Sequence, residues 1–419
     1  MHRYFACAVR LLIAVGIFTC ALAAQQSFFL RDHDVVVFYG DSITDQRLYT
    51  TFVETFVVTR YPQMPVRFVH SGWGGDRVSG GGGGPIDLRL QRDVIAYKPT
   101  VMTIMLGMND GRYRAFDEGV FKEFATGYEH ILQVMKEAAP GIRITPIRPS
   151  PYDDVTYEPR FPGGYNSVLV RYGEFIQQLA QKNQMTVADL NASVVAALAK
   201  AKATDAALAQ RIIPDRVHPG AAGHLLMAAA LLRAWGTTPL VTSVEIDAGA
   251  ARVGRVENTE IRDLSVAPRL SWTQRDKALP MPVNMKDPTV ALAVRSSDFV
   301  ETLNQQTLKV SGLRAGNYTL QINATRVGSF SADRLAAGIN LAELETPMAK
   351  QSAAVHELTL KRTGVHQMRW RQLQLPFRDD NIPRIASVDD NLRALEEDLS
   401  ALQRTAAQPA ATFYELIPE

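Results

Sequence analysis

Ser42 closes the run Val35-Val36-Val37-Phe38-Tyr39-Gly40-Asp41-Ser42. A serine at the end of a buried strand can be held in a tight turn with its hydroxyl facing solvent, where a neighbouring base activates it for attack on a carbonyl. Asp215-Arg216-Val217-His218 supplies such a base. An imidazole titrates close to neutrality, so His218 can take the serine proton and return it to a leaving group, with Asp215 orienting the ring. Gly75 and Asn109, in Ser71-Gly72-Trp73-Gly74-Gly75-Asp76 and Gly107-Met108-Asn109-Asp110, offer a backbone N–H and a side-chain amide to a developing oxyanion. Each residue also has a plainer reading. Ser42 is a helix cap, His218 a loop histidine before Pro219-Gly220, Gly75 a positive-φ turn glycine, with Gly74 the alternative position for the donor, and Asn109 an Asx turn. All four in this order describe acyl transfer through a serine ester.

Those residues need a scaffold that brings them together. Between Asp34 and Trp235 short β-branched runs at 35–39, 66–70, 101–106, 142–147 and 185–189 alternate with helical patterns. The helices are predicted through Leu48, Phe52, Phe56 and Val57, then over 86–97, then along Phe121, Phe124, Tyr128, Ile131 and Met135, then over 168–181 and 221–235. Such alternation predicts an α/β fold with a parallel sheet and helices on both faces. Ser42, Gly75 and Asn109 each follow one of the first three strands, so they converge at the carboxyl ends, where such sheets place their sites. Trp73, Tyr152 and Phe161 are expected near those ends as surfaces for a sugar ring or as core.

The set resembles the SGNH (GDSL-type) esterase and lipase superfamily over residues 34–235, with Ile43 where leucine is common. The D-x-x-H pairing of Asp215 and His218 is among the more specific marks. The resemblance implies a three-layer α/β/α sandwich with a flavodoxin-like sheet, and catalytic Ser42, His218 and Asp215. It also implies an oxyanion hole from the N–H groups of Ser42 and Gly75 and the amide of Asn109. Its activity would be serine ester hydrolysis, with acetylated carbohydrates as the expected substrate. The alternatives are a lipase, lysophospholipase or arylesterase on longer acyl esters, an O-acyltransferase, or a carbohydrate-binding protein with little hydrolysis. No cofactor and no metal are expected, because the acids and histidines lack ligand spacing. His224 reads as structural. The five glycines at 80–84 lack the lysine and hydroxyl of a phosphate loop and read as a loop at the rim of the site.

The length of 419 residues predicts more than one unit. Residues 1–24 read as a signal peptide: a basic start, an apolar stretch at 11–22 and Ala21-Leu22-Ala23 before the cut. Cleavage removes both cysteines, Cys7 and Cys20, together with Arg3 and Arg10 and no acid, taking the formal charge from +2 to zero. The expected product is a secreted or periplasmic protein without thiols, without a stable membrane anchor and without a charge bias toward nucleic acid. A hydrolase domain is expected at 32–238, a β-rich and helical accessory region at 239–375, and a helical tail at 376–419. The accessory region reads as a buttress or a glycan binder. Leu392, Leu395, Leu399 and Leu402 mark the tail helix as docked on the body or seamed to a second copy. The oligomeric state is open at this level.

Overall fold

The computed structural model describes residues 28–380 and 382–419, so the expected signal segment with Cys7 and Cys20 lies outside the described residues. Five parallel strands form the central sheet: β1 (Val35–Gly40), β2 (Arg67–Gly72), β3 (Val101–Met105), β4 (Arg143–Arg148) and β5 (Ala188–Asp189), in the order 2-1-3-4-5. The near-continuous apolar runs of β1 and β3 are what a strand covered on both faces requires. Strand order reverses between β1 and β3, and an open α/β sheet forms its crevice at that point. Ser42 leaves β1 and Asn109 follows β3, on the two sides of the switch.

Helices flank the sheet: α1 (Ser42–Asp45), α2 (Leu48–Arg60), α3 (Ile86–Asp93), α4 (Glu118–Ala138), α5 (Gly164–Lys182), α6 (Leu190–Thr204) and α7 (Ala221–Ala234). Helix α4 buries Val120, Phe124, Tyr128, Ile131 and Met135 on one stripe and is capped by Asp117, which accepts from Val120 N at 2.9 Å. Phe124 stacks on Tyr172 of α5 at 4.4 Å. Helices α2, α6 and α7 form a second packed group.

Beyond Pro239 lie β6 (Leu240–Asp247), β7 (Arg252–Glu257), β8 (Thr259–Ser265), β9 (Leu270–Asp276), α8 (Pro288–Arg295), α9 (Phe299–Leu303), β10 (Gln305–Ser311), β11 (Asn317–Ile322), β12 (Thr325–Ser331) and β13 (Ile339–Asn340). They are followed by α10 (Pro347–Gln367), a π-helical turn (Met368–Gln374), α11 (Pro383–Ala406) and β14 (Ala411–Pro418). Two sheets result, β13-β10-β6-β7 and β8-β9-β14-β11-β12. Both contribute to one core, which includes Val244, Trp272, Val310, Leu320 and Leu416.

Three differences from the sequence expectations have clear causes. Pro239 does not separate two cores, because Met281, Val290, Leu292, Phe299 and Leu303 pack into the core of the first sheet. The tail from 376 is not wholly helical, because β14 pairs with β9 and β11 and fills the middle of their sheet. The most buried residues of helix α11 are polar, while its leucine stripe is split, with Leu392 and Leu399 half-buried and Leu395 and Leu402 exposed. Glu396 and Gln403 are buried, while Leu395 and Leu402 are 44% and 56% exposed. Glu396 meets Arg369, and Gln403 donates to Glu54 of α2, so ion pairing and hydrogen bonding set its inner face.

Candidate active site

Gly40 and Asp41 make the turn that exposes Ser42. A Cβ on Gly40 would lie 2.3 Å from Thr44 Oγ1 and 2.6 Å from the Met105 carbonyl oxygen, so only glycine lets the chain pivot beside β3. Asp41 then caps α1, accepting from Ile43 N at 3.1 Å. Burial, with the charges of Asp110 and Asp76 nearby, pushes its carboxyl up to about 7. Ser42 is the first residue of α1, so its N–H has no partner within the helix.

Ser42 Oγ lies 2.8 Å from His218 Nε2, and His218 Nδ1 lies 2.7 Å from Asp215 Oδ2. Asp215 Oδ1 also accepts from the backbone N–H of His218 at 2.7 Å and of Val217 at 2.9 Å, which folds residues 215–218 around the carboxylate. Burial works against this carboxylate's charge, but the His218 backbone and ring, the Val217 N–H and the imidazole charge outweigh it and hold its pKa below the usual value. Arg216 sits in the left-handed region at φ 73° and donates to the Glu158 carbonyl at 2.7 Å, while Asp153 N donates to the Arg216 carbonyl at 2.9 Å. The loop that presents His218 is thereby tied to the chain after β4.

Gly75 has φ 78° with open space where a Cβ would stand. The Gly74 N–H is taken by Asp45 Oδ2 at 3.2 Å, whereas among the described residues no acceptor meets the Gly75 N–H. Of the two neighbouring glycines, Gly75 therefore has the donor to spare. Asn109 Nδ2 donates to the Asp76 carbonyl at 3.0 Å, and Asp110 Oδ1 accepts from Val78 N at 2.9 Å. Those two bonds stitch the loop after β2 to the loop after β3, bringing Ser42, Gly75 and Asn109 to one crevice.

Beneath Gly75 lies a group that sequence patterns gave no sign of. Arg89 of α3 is fully buried. It donates to Asp76 Oδ2 at 2.8 Å and to the Ser71 carbonyl at 3.0 Å, and pairs with Asp93. Trp370, from the π-helical turn, donates to Asp93 Oδ1 at 2.8 Å and packs edge-on to Trp73 at 5.9 Å. Arg371 covers the Trp73 ring at 3.4 Å. Helix α10 also receives a bond, since Arg47 donates to the Thr363 carbonyl at 3.2 Å. The C-terminal hairpin of α10 and α11 thus braces the turn that carries Gly75. Only contacts across the fold reveal this.

The remaining expectations divide. His224 is buried, with Nδ1 accepting from Tyr49 N at 3.2 Å and Nε2 facing Gln46 Oε1 at 3.0 Å. Burial, then the nearby His218, lowers its pKa to about 3, so it is a neutral structural group. The glycine run forms a short hairpin, Gly80–Gly81 against Gly84–Pro85. Tyr152 is only 2% exposed and packs edge-on to Tyr165, so it has no face free for a sugar. Tyr113, overlooked in the sequence, is 39% exposed and donates to Asn109 Oδ1 at 2.9 Å.

The Asp215–His218 pair is partly open to solvent. His218 and Asp215 side chains are 37% and 55% exposed. Two prominent cavities lie elsewhere. One of about 690 Å³ is lined by Arg77, Val78, Asp110 and Phe124, and one of about 570 Å³ by Phe52, Leu225, Met281 and Val290. Neither includes Ser42, Gly75, Asn109 or His218.

The chain is similar in sequence and fold to known proteins. Residues 38–226 match the model of the GDSL-like Lipase/Acylhydrolase family. An acetylxylan esterase of Geobacillus stearothermophilus is 28% identical over 221 residues, covering 48% of this chain and 93% of that protein. The solved structure of a gut microbial diltiazem-metabolizing enzyme superposes with a TM-score of 0.83 at 25% identity, covering 94% of this chain and all of that one. The second likeness extends through the accessory sheets and the hairpin.

Proposed function

We propose that residues 38–226, which match the GDSL-like lipase/acylhydrolase family, form a carboxylic ester hydrolase domain that removes acetyl groups from carbohydrates through an acyl-enzyme on Ser42. The observation that carries the mechanism is the relay from Ser42 Oγ to His218 Nε2 at 2.8 Å and from His218 Nδ1 to Asp215 Oδ2 at 2.7 Å. Nδ1–H donates to the carboxylate, which leaves Nε2 free to accept the serine proton. As Oγ attacks the ester carbonyl, its oxygen gains charge within reach of the N–H groups of Ser42 and Gly75 and of the Asn109 amide. His218 then returns the proton to the departing sugar oxygen. In the second half it takes a proton from water, whose oxygen attacks the acyl carbon, and returns that proton to Ser42 Oγ as the C–Oγ bond breaks and acetate leaves.

One feature favours a bulky alcohol. The exposure of His218 and Asp215 leaves room for an extended glycan. The acetylxylan esterase relative supports the same substrate class. Export is proposed on the basic and apolar pattern of residues 1–24, and the mature amino terminus recovered outside the cytoplasm would lie just after Ala23 or Ala24.

The deciding assay is hydrolysis of p-nitrophenyl acetate, butyrate and octanoate and of acetylated xylo-oligosaccharides, with Ser42→Ala and His218→Ala as controls. The expected result is turnover selective for acetate, lost in both variants. A preference for octanoate would replace the reading with a lipase, and acyl transfer to added alcohols exceeding hydrolysis would replace it with a transferase. Activity surviving Ser42→Ala would overturn the mechanism.

A further inference from the structure

Of the three oxyanion donors, two are backbone N–H groups fixed by the fold, but the third is a side-chain amide with a nitrogen end and an oxygen end. Something has to hold it the right way round. The Asp76 carbonyl can only accept, so the end of Asn109 that meets it at 3.0 Å is Nδ2. Oδ1 then faces the Tyr113 hydroxyl at 2.9 Å, which donates. We propose that Tyr113 is a positioning residue of the oxyanion hole, its hydroxyl locking the Asn109 amide with nitrogen toward the ester and polarising it as a donor. This inference rests on the role proposed above for Asn109.

Three independent features suit Tyr113 to that task. Arg112 and Tyr113 are consecutive non-glycine residues in the left-handed region, at φ 57° and 53°. Such conformations are uncommon and persist where the surroundings over-determine them. Its ring packs on Tyr165 at 5.1 Å and Tyr152 at 6.2 Å, and Tyr165 itself donates to the Met108 carbonyl at 2.6 Å. The tyrosine and the residue preceding Asn109 are thus held by one aromatic cluster. Burial, with Asp41 and Asp215 nearby, pushes the phenol up to about 12, so it remains a donor throughout the working pH range.

The partly exposed ring could instead serve only as a platform for the substrate, and kinetics separates the two roles. Tyr113→Phe keeps the ring and removes the donor. With p-nitrophenyl acetate, kcat should fall about tenfold, the equivalent of one hydrogen bond, with KM within about twofold and the melting temperature unchanged. In an Asn109→Ala background the same substitution should change nothing further, because there is no amide left to orient. Undiminished kcat in Tyr113→Phe, a loss confined to KM, or an equal loss in both backgrounds would each overturn the proposal. An Asn109→Ala enzyme with full kcat would overturn it too, by removing the oxyanion role on which it rests. A null result in Tyr113→Phe beside a crippled Asn109→Ala enzyme would leave that role intact and reject Tyr113 alone.

Discussion

The carboxyl ends of the central sheet and the C-terminal hairpin meet at the Gly75 turn, and they are built in opposite ways. At the sheet ends lies the proposed relay, partly open to solvent: the side chains of His218 and Asp215 are 37% and 55% exposed. The hairpin offers no reacting group, yet its contact layer is dry. Trp370 is 2% exposed and Arg89 beneath it 0%. On the α2 side, Glu54 pairs with Arg362 and receives hydrogen bonds from His70 and Gln403. Substrate access demands exposure of the reacting atoms, and exposed atoms hold position poorly. The precision of an open site therefore has to come from buried neighbours, here supplied from more than 270 residues further along the chain.

If that division holds, substitutions at the sheet ends should cost rate and spare stability. Ser42→Ala and His218→Ala should each lower kcat by about 10⁴-fold or more, with the double variant no worse than either single one. Asp215→Ala should lose less, about 10²-fold, because its carboxylate is solvated and part of its work is to fold its own loop. Calorimetry on the same proteins checks that their melting temperatures stay near the parent's. A large drop in Ser42→Ala would blur the contrast.

Trp370→Ala tests the other side. Removing a buried indole should cost about 3–5 kcal/mol of stability and, by freeing Asp93 and Trp73, lower kcat about tenfold at saturating substrate. Stability lost with kcat intact would separate the brace from the site. The hairpin should also carry a pH signature. Burial alone would raise the Glu54 carboxyl, but the charge of Arg362 and the hydrogen bonds from His70 and Arg362 outweigh it and hold its pKa at about 2. A carboxyl lower in the folded state contributes stability that is present above its ordinary 4.5 and lost as the pH falls toward about 2. Melting temperature should fall through that window, and Glu54→Gln should flatten the fall while lowering the plateau above it.

The smallest effect is expected on the leucine stripe that the sequence marked as a contact surface. Leu402→Gln should change stability by less than about 0.5 kcal/mol, since the side chain is 56% exposed. Its neighbour on the inner face, Glu396→Gln, should cost several times more by leaving Arg369 and His366 short of their partner.

That reversal marks what could be read from the chain alone. The turn after β1 that carries Ser42, the Asp215–His218 contact and the alternating strands were legible because each is local: their determinants lie within a few residues of one another. Even the choice of Gly75 over Gly74 needed only one further contact, from Asp45. Arg89, Trp370 and Tyr113 left no such trace, since a buried arginine looks like a surface one until its carboxylates are placed around it. Periodicity located α11 correctly but misjudged its inner face, because hydrophobic spacing says nothing of a glutamate with an arginine waiting. The accessory sheets were half seen for a related reason: β14 belongs between β9 and β11, far from either in sequence.

The placement of β14 also sets an order of assembly. The five strands of the catalytic sheet are all made by residue 189, and they can pair while most of the accessory region is still unsynthesised. The second five-stranded sheet has no continuous ladder until residues 411–418 slide in between its halves, so β9 and β11 spend that interval as open edges. A fusion or truncation at the carboxyl end should therefore harm solubility on expression well before it harms the chemistry at Ser42.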